Sequence, residues 1–292
     1  MLSPALLAGR DRYERSMHGR IDSLADDAFT HTVRLADDDR ALEAVVVALP
    51  PPAYLIRDAR LQPLGGRVAP SVVTGFAALA GAAMVGGLTR RTAEALADGE
   101  GAALAVDAMI EIARLARQAT RMPRAEAEQA AGDALAYWHL DMAGWADLPD
   151  SCFTYSPAGR ALFDARTVAA AAVPDLYSPR SGQRAVFERR KIARLARADG
   201  RLTLFHSMHD NVHGFELTLE IDLASGTIAR AEHVTPRLPY MGVCSEPQRR
   251  FAALVGETAD AGLRKRIQAT LGGATGCAQL YDLTSDLLKL LA

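Results

Sequence analysis

Cysteine is scarce in this chain, three among 292 residues. So sparse and odd a count excludes a disulfide framework and fits a reducing cytoplasm. No run reaches the roughly 18 apolar residues that span a bilayer. The opening MLSPALLAGRDRYER puts no cation ahead of its short apolar stretch, as a secretory leader would. An excess of one charge is missing too: 33 Lys and Arg face 35 Asp and Glu, a formal −2, so no global basic field draws the chain to nucleic acid. The sequence also lacks a P-loop, a GxGxxG after a strand, a GxSxG, an HExxH and an EF-hand loop. These absences predict a cytoplasmic protein with no membrane or nucleic-acid partner and no cofactor.

What is there is an ordinary globular composition, 49% hydrophobic and 23% charged, enough for one large or two small cores. Its strongest pattern is a repeat. Residues 76–81 read FAALAG and residues 251–256 read FAALVG, 175 positions apart (251 − 76). Carried on without a gap, that spacing matches Gly87 with Gly262, Leu88 with Leu263, Leu96 with Leu271, Asp107 with Asp282 and Leu115 with Leu290. Thirteen of 41 positions agree between 76–116 and 251–291, where composition alone gives roughly 4. Duplication is therefore expected, with residues 1–120 as a first repeat, 121–183 as a connecting segment and 184–292 as a second repeat.

Local patterns give both repeats one plan. Short β-branched runs at 29–35, 41–49 and 54–61, and again at 201–208, 215–223 and 227–234, are bounded by Asp, Pro or Gly as strands are. In FELTLEIDL every second residue is apolar, the mark of a sheet with one wet face. Helical spacing follows: a start at Ser245-Glu246-Pro247 with a stop at Gly256, then helices over 262–271 and about 277–290. Strands first and helices after predict an α+β fold, two tandem copies of an antiparallel sheet with packed helices, related by a pseudo-two-fold. The connector opens with a helix through RAEAEQAAGDALAYWHLDMAGWADL, whose Ala131, Leu135, Trp138 and Met142 recur at helical spacing.

Residues able to do chemistry cluster in the second repeat. FHSMHDNVH holds His206, His209 and His213, and Asp210-Asn211 marks a hairpin turn that would bring His209 and His213 together, with Asp210 orienting either imidazole. Cys277 follows Gly276 at a predicted helix start, where free N–H groups and the helix dipole would lower a thiol pKa. A thiolate there, with His213 as proton partner, would be a nucleophile or general base. Arg264, Lys265 and Arg266 open another helix and could hold a substrate carboxylate or phosphate. Each feature also has a plain structural reading, as turn histidines, a packed cysteine and a solvated helix face.

These motifs resemble a bacterial family known as domain of unknown function 2889. The resemblance rests on His213 before FELTLEID, then TIARAEHVTP, PYMGVC with Tyr240 and Cys244, GLRK with Arg264 and Lys265, and GCAQL with Cys277. Cys152 in DSCFTY resembles a later cysteine segment of that family. Gly214, Leu263 and Gln279 stand where the family pattern has Asp, Trp and His. The first repeat lacks the motif residues: Ala41 falls opposite His213, Ala69 near Cys244 and Ala102 opposite Cys277. All three cysteines lie at motif positions, so a zinc site of Cys152, His213, Cys244 and Cys277 is an alternative, although no CxxC pair is present.

The expected function is a cofactor-independent lyase, hydratase or isomerase using acid–base chemistry on a small aromatic or carboxylated metabolite, in a cleft between the repeats. His213, Cys277, His209 and Asp210 would be catalytic, and Arg264, Lys265, Arg266, Gln279 and Tyr240 would bind substrate. The family resemblance implies a link to aromatic catabolism. The alternative is a non-catalytic small-molecule-binding or accessory protein. Monomer and homodimer both remain open.

Overall fold

The computed structural model describes residues 11–171 and 173–291. The apolar opening stretch lies largely outside them, at 1–10. The fold is α+β, built on one antiparallel sheet of eight strands ordered β4-β3-β2-β1-β6-β7-β8-β9. The first four strands are β1 (Arg12–Ser23), β2 (Phe29–Asp37), β3 (Ala41–Ala48) and β4 (Ile56–Gly65), and the last four are β6 (Phe187–Ala198), β7 (Arg201–Asp210), β8 (Gly214–Asp222) and β9 (Thr227–Arg237). Each group of four is a meander. They meet where β1 pairs antiparallel with β6, Met17 opposite Lys191.

Three helices follow the first meander: α1 (Pro70–Ala77), α2 (Leu88–Leu96) and α3 (Ala102–Ala116). The connecting segment carries α4 (Arg124–Gln129), α5 (Ala134–Gly144), α6 (Pro157–Ala165) and α7 (Pro174–Tyr177), plus a two-residue ribbon of β5 (Ala169–Ala170) with β10 (Tyr240–Met241). After the second meander come α8 (Ser245–Gln248), a 3₁₀ stretch (Arg249–Leu254), α9 (Leu263–Leu271) and α10 (Ala278–Leu287). The FAAL phrase thus ends an α-helix at Phe76 and Ala77 and turns at Ala78 and Leu79 in its first occurrence, and folds as 3₁₀ in its second. The single helix predicted through 124–148 is two, and the second ends at Gly144. Gly132 takes a left-handed turn at φ 88°, and Asp133 restarts the chain by capping Leu135 N at 2.8 Å, a standard N-cap device.

The sheet is covered on one face, because alternation puts apolar residues there. In β8, Phe215, Leu217, Leu219 and Ile221 are buried while Glu216, Thr218, Glu220 and Asp222 are not. α3 lies across β1, β2 and β3, and α10 across β7 and β8. Gly19 permits the close approach of α3, since a Cβ there would come within 2.7 Å of Leu115 Cδ1.

Burial repeats between the halves. α2 buries Leu88, Thr92 and Leu96, and α9 buries Leu263, Ile267 and Leu271, each pair 175 positions apart (263 − 88). Buried Ala108, Ile112 and Leu115 likewise match Leu283, Leu287 and Leu290. Strand spacing is shorter. Ladder register matches Phe29 to Leu202 (202 − 29 = 173) and Val46 to Leu219 (219 − 46 = 173). Ala41 therefore aligns with Gly214 rather than with His213, which corrects the alignment expected from sequence by one residue. Ion pairs join the halves reciprocally. Arg114 of α3 meets Asp282 of α10 at 3.0 Å, while Lys289, just past α10, meets Asp107 of α3 at 2.8 Å, and both pairs of like positions are again 175 apart (289 − 114, 282 − 107).

Candidate functional site

The buried side of α5 is Tyr137, Leu140 and Asp141, so a carboxylate enters the interior on an otherwise apolar stripe. Three phenols from three segments converge on it. Tyr177 donates to Asp141 Oδ1 at 2.6 Å, and Tyr155 donates to Oδ2 at 2.7 Å. Tyr240 also donates to Oδ2. Hydrogen bonds to a charged acceptor each contribute about 1.5–3 kcal/mol, yet burial dominates and holds the Asp141 pKa above the ordinary carboxylate value, with the phenols and His213 pulling the other way. Burial and the neighbouring Asp141 charge push the Tyr155, Tyr177 and Tyr240 phenols well above their usual range.

A second cluster stands at the β7–β8 turn. Asp210 Oδ1 accepts the backbone N–H groups of Val212 at 2.7 Å and His213 at 2.6 Å, which shapes the turn and presents the imidazole. His213 Nδ1 then lies 3.1 Å from Asp210 Oδ1. Behind them, the fully buried Arg189 donates Nε–H to Asp210 Oδ2 at 2.8 Å. Burial opposes the Asp210 charge, but His213 and Arg189 outweigh it and hold the carboxyl well below its ordinary range. An ionised Asp210 can only accept, so Nδ1–H of His213 donates to it, which fixes the tautomer in which Nε2 carries the free lone pair.

Both clusters open on one cavity of about 260 Å³. Its wall draws Arg114, Arg117 and Gln118 from the end of α3, Asp141 and its tyrosines, and His213, Phe215, Cys277 and Gln279 from the second half. The connector thus roofs the site. All three cysteines reach the wall, but burial raises each thiol, Cys152 to about 11. Cys277 does cap α10. Contrary to the expectation of an activated thiolate, desolvation outweighs the favourable helix-start N–H groups there. Among the described residues no group of three or more His, Cys, Asp or Glu is arranged to hold a metal ion; Cys152, His213, Cys244 and Cys277 share a cavity wall without forming such a group.

The sequence-predicted residues divide into three sets. His213, Cys277, Gln279 and Tyr240 line the cavity, with Asp210 directly behind His213. His209 faces the opposite side of the sheet, 3.3 Å from Glu216 and half-buried, so Asp210 orients His213 and not His209. Arg264 and Lys265 are exposed on α9, and Arg266 is tied to Glu257 and Asp260; none of the three is in the cavity wall. The sequence sets Asp141 in a polar-aromatic group with Tyr137, Trp138 and His139 at helical spacing, read most plainly as an interdomain anchor; Tyr155, Tyr177 and Arg189 were missed. The signal for Asp141 is an acid four residues after Tyr137 on a helix with few other charges.

Among known proteins, residues 194–291 match the model of a family described as a protein of unknown function, DUF2889. No curated protein and no solved structure matches the chain.

Proposed function

We propose that this chain, a member of the DUF2889 family over residues 194–291, is a cytoplasmic enzyme that moves a proton on a small aromatic or carboxylated metabolite without a cofactor, in the manner of a lyase, hydratase or isomerase. The observation that carries the reading is the Asp210–His213 pair opening on the cavity that Asp141 also lines. His213 Nε2 would take a proton from substrate, Asp210 would stabilise the imidazolium, and Asp141 with its phenols would return or share a proton. Such positioned acid–base groups contribute about 10²–10⁴-fold in rate. A link to aromatic catabolism belongs to the same reading. We also read the two meanders as copies related by a pseudo-dyad through the Met17–Lys191 pair, the first copy having lost the chemistry; reciprocal ion pairs are what an isologous contact produces.

The test is wash-in of solvent deuterium into candidate hydroxyaromatic and carboxylated substrates, followed by NMR. Wild-type protein should exchange a carbon-bound proton, and His213→Ala should lower that rate about 100-fold with its melting temperature nearly unchanged. Exchange that survives His213→Ala would remove the proposal. A non-catalytic binding protein is the second reading, favoured by the protonated state that burial imposes on all three cavity thiols.

A further inference from the structure

Every charged group at the cavity wall already has an internal partner. Arg114 is held by Glu111, Asp282 and Asp286. Arg117, half-exposed at the rim, pairs with Asp147. Asp141 accepts three phenols, and a carboxylate offers only about four acceptor positions. His213 is engaged by Asp210, which Arg189 neutralises in turn. Among the described residues no lysine lines the wall. A ligand carboxylate entering here would find no free cation and would be drawn out of water beside a buried acid, which is costly without compensation. An ammonium would meet a carboxylate that three phenols leave with only about one acceptor position.

The remainder of the wall is apolar and aromatic, with Tyr137, Trp145, Leu176, Val212, Phe215 and Leu238 prominent. Its volume of about 260 Å³ falls below the roughly 300–1,000 Å³ of pockets for drug-sized ligands, so it suits one ring with a short substituent. Neutral polar groups supply direction: His213 Nε2 as an acceptor, the Cys277 thiol as a weak donor, and the Gln279 amide as both. A hydroxyl or carbonyl matches them.

We infer that this cavity takes an uncharged single-ring aromatic molecule bearing a hydroxyl or carbonyl group, and discriminates against carboxylates and amines of the same size. The inference deepens the acid–base reading and rests on it for the identity of the site, but binding tests it separately from turnover. Calorimetric titration at neutral pH with 4-methylphenol, benzaldehyde, benzoate and benzylamine compares the classes. The expected result is that the phenol or the aldehyde binds at least tenfold more tightly than benzoate and benzylamine, and quenches tryptophan emission through Trp145. Val173→Trp, which fills the cavity from its wall, should abolish that binding while the protein keeps its circular dichroism spectrum. Benzoate or benzylamine binding as tightly as the neutral probes overturns the inference, as does the absence of binding by all four, or undiminished binding to a folded Val173→Trp. If neutral probes bind selectively while His213→Ala keeps full exchange activity, the proposed function fails and this inference stands. If exchange needs His213 but benzoate is preferred, the reverse holds.

Discussion

The two halves of the sheet share an order of strands and a spacing of buried residues, and they differ in what polar groups they bury. Beneath β1 and β2 the inner face holds Met17, Gly19, Ile21, Val33 and Leu35, with one imidazole, His31, among the described residues. Beneath β6, β7 and the turn into β8 it holds Arg189, Lys191, His206, Asp210 and His213. Apolar spacing is evidently enough for the architecture, since the first half needs little else. A buried ion pair is weak evidence for stability, because desolvation offsets most of its attraction. The Arg189–Asp210 pair is therefore better explained by what it orients, the imidazole at the cavity wall, than by what it adds to folding.

This contrast can be broken experimentally. The largest difference should come from Arg189→Ala, which leaves the Asp210 carboxylate buried without its cation and should cost about 3–5 kcal/mol. Its counterpart by strand register is Arg15 (189 − 15 = 174), whose side chain is 19% exposed beside Asp107. Arg15→Ala, at a part-buried pair that water still reaches, should cost less, about 1–2 kcal/mol. Urea denaturation of both variants decides, and equal losses would end the distinction.

Next in size is a pH effect common to both halves. Burial lowers His31 and His206 to about 4, against about 6.5 in the unfolded chain. With the folded value depressed, the unfolded state binds more protons between pH 6.5 and 4. Stability is therefore full above 6.5 and is lost on acidification, by up to about 3 kcal/mol for each histidine. Replacing either imidazole with leucine should flatten the denaturation midpoint against pH over that window. A slope unchanged in both variants would place the acid lability elsewhere.

Smaller still is the packing asymmetry at the junction of the meanders. Gly19→Ala drives a methyl group toward Leu115 and should cost about 1–3 kcal/mol. Ala193→Gly, at the matching position (193 − 19 = 174), should cost about 0.5–1 kcal/mol through backbone entropy. Thermal melts distinguish the two. At the bottom of the scale, Arg264→Ala and Lys265→Ala should shift stability by less than about 0.5 kcal/mol and leave phenol binding to the cavity intact; a tenfold loss of binding would restore these cations to the site.

Much of the architecture could be read before any coordinates, wherever alternation was clean. β2, β3, β7 and β8 announce themselves by β-branched and apolar residues on one face. β1 and β6 do not, because their inner positions include Tyr13 and Arg15, and Arg189 and Lys191. Charge on both faces erases a period of two, so the pair that joins the halves was invisible to pattern. The site was half legible. His213 and Asp210 are neighbours in sequence, and a turn of this composition favours their contact. The Asp141 cluster gathers Tyr155, Tyr177 and Tyr240 from segments with no fixed spacing, and only tertiary packing brings them together.

Because β1 sits at the centre of the sheet although it begins the described chain, one of its edges has no backbone partner among the described residues until β6 has been made, which starts 164 residues after β1 ends (187 − 23). A nascent first meander therefore leaves the ribosome with an open edge, a template for pairing with the wrong strand. The charges that hide Arg12–Ser23 from pattern reading also shield it during that wait, since charged edge strands resist aggregation.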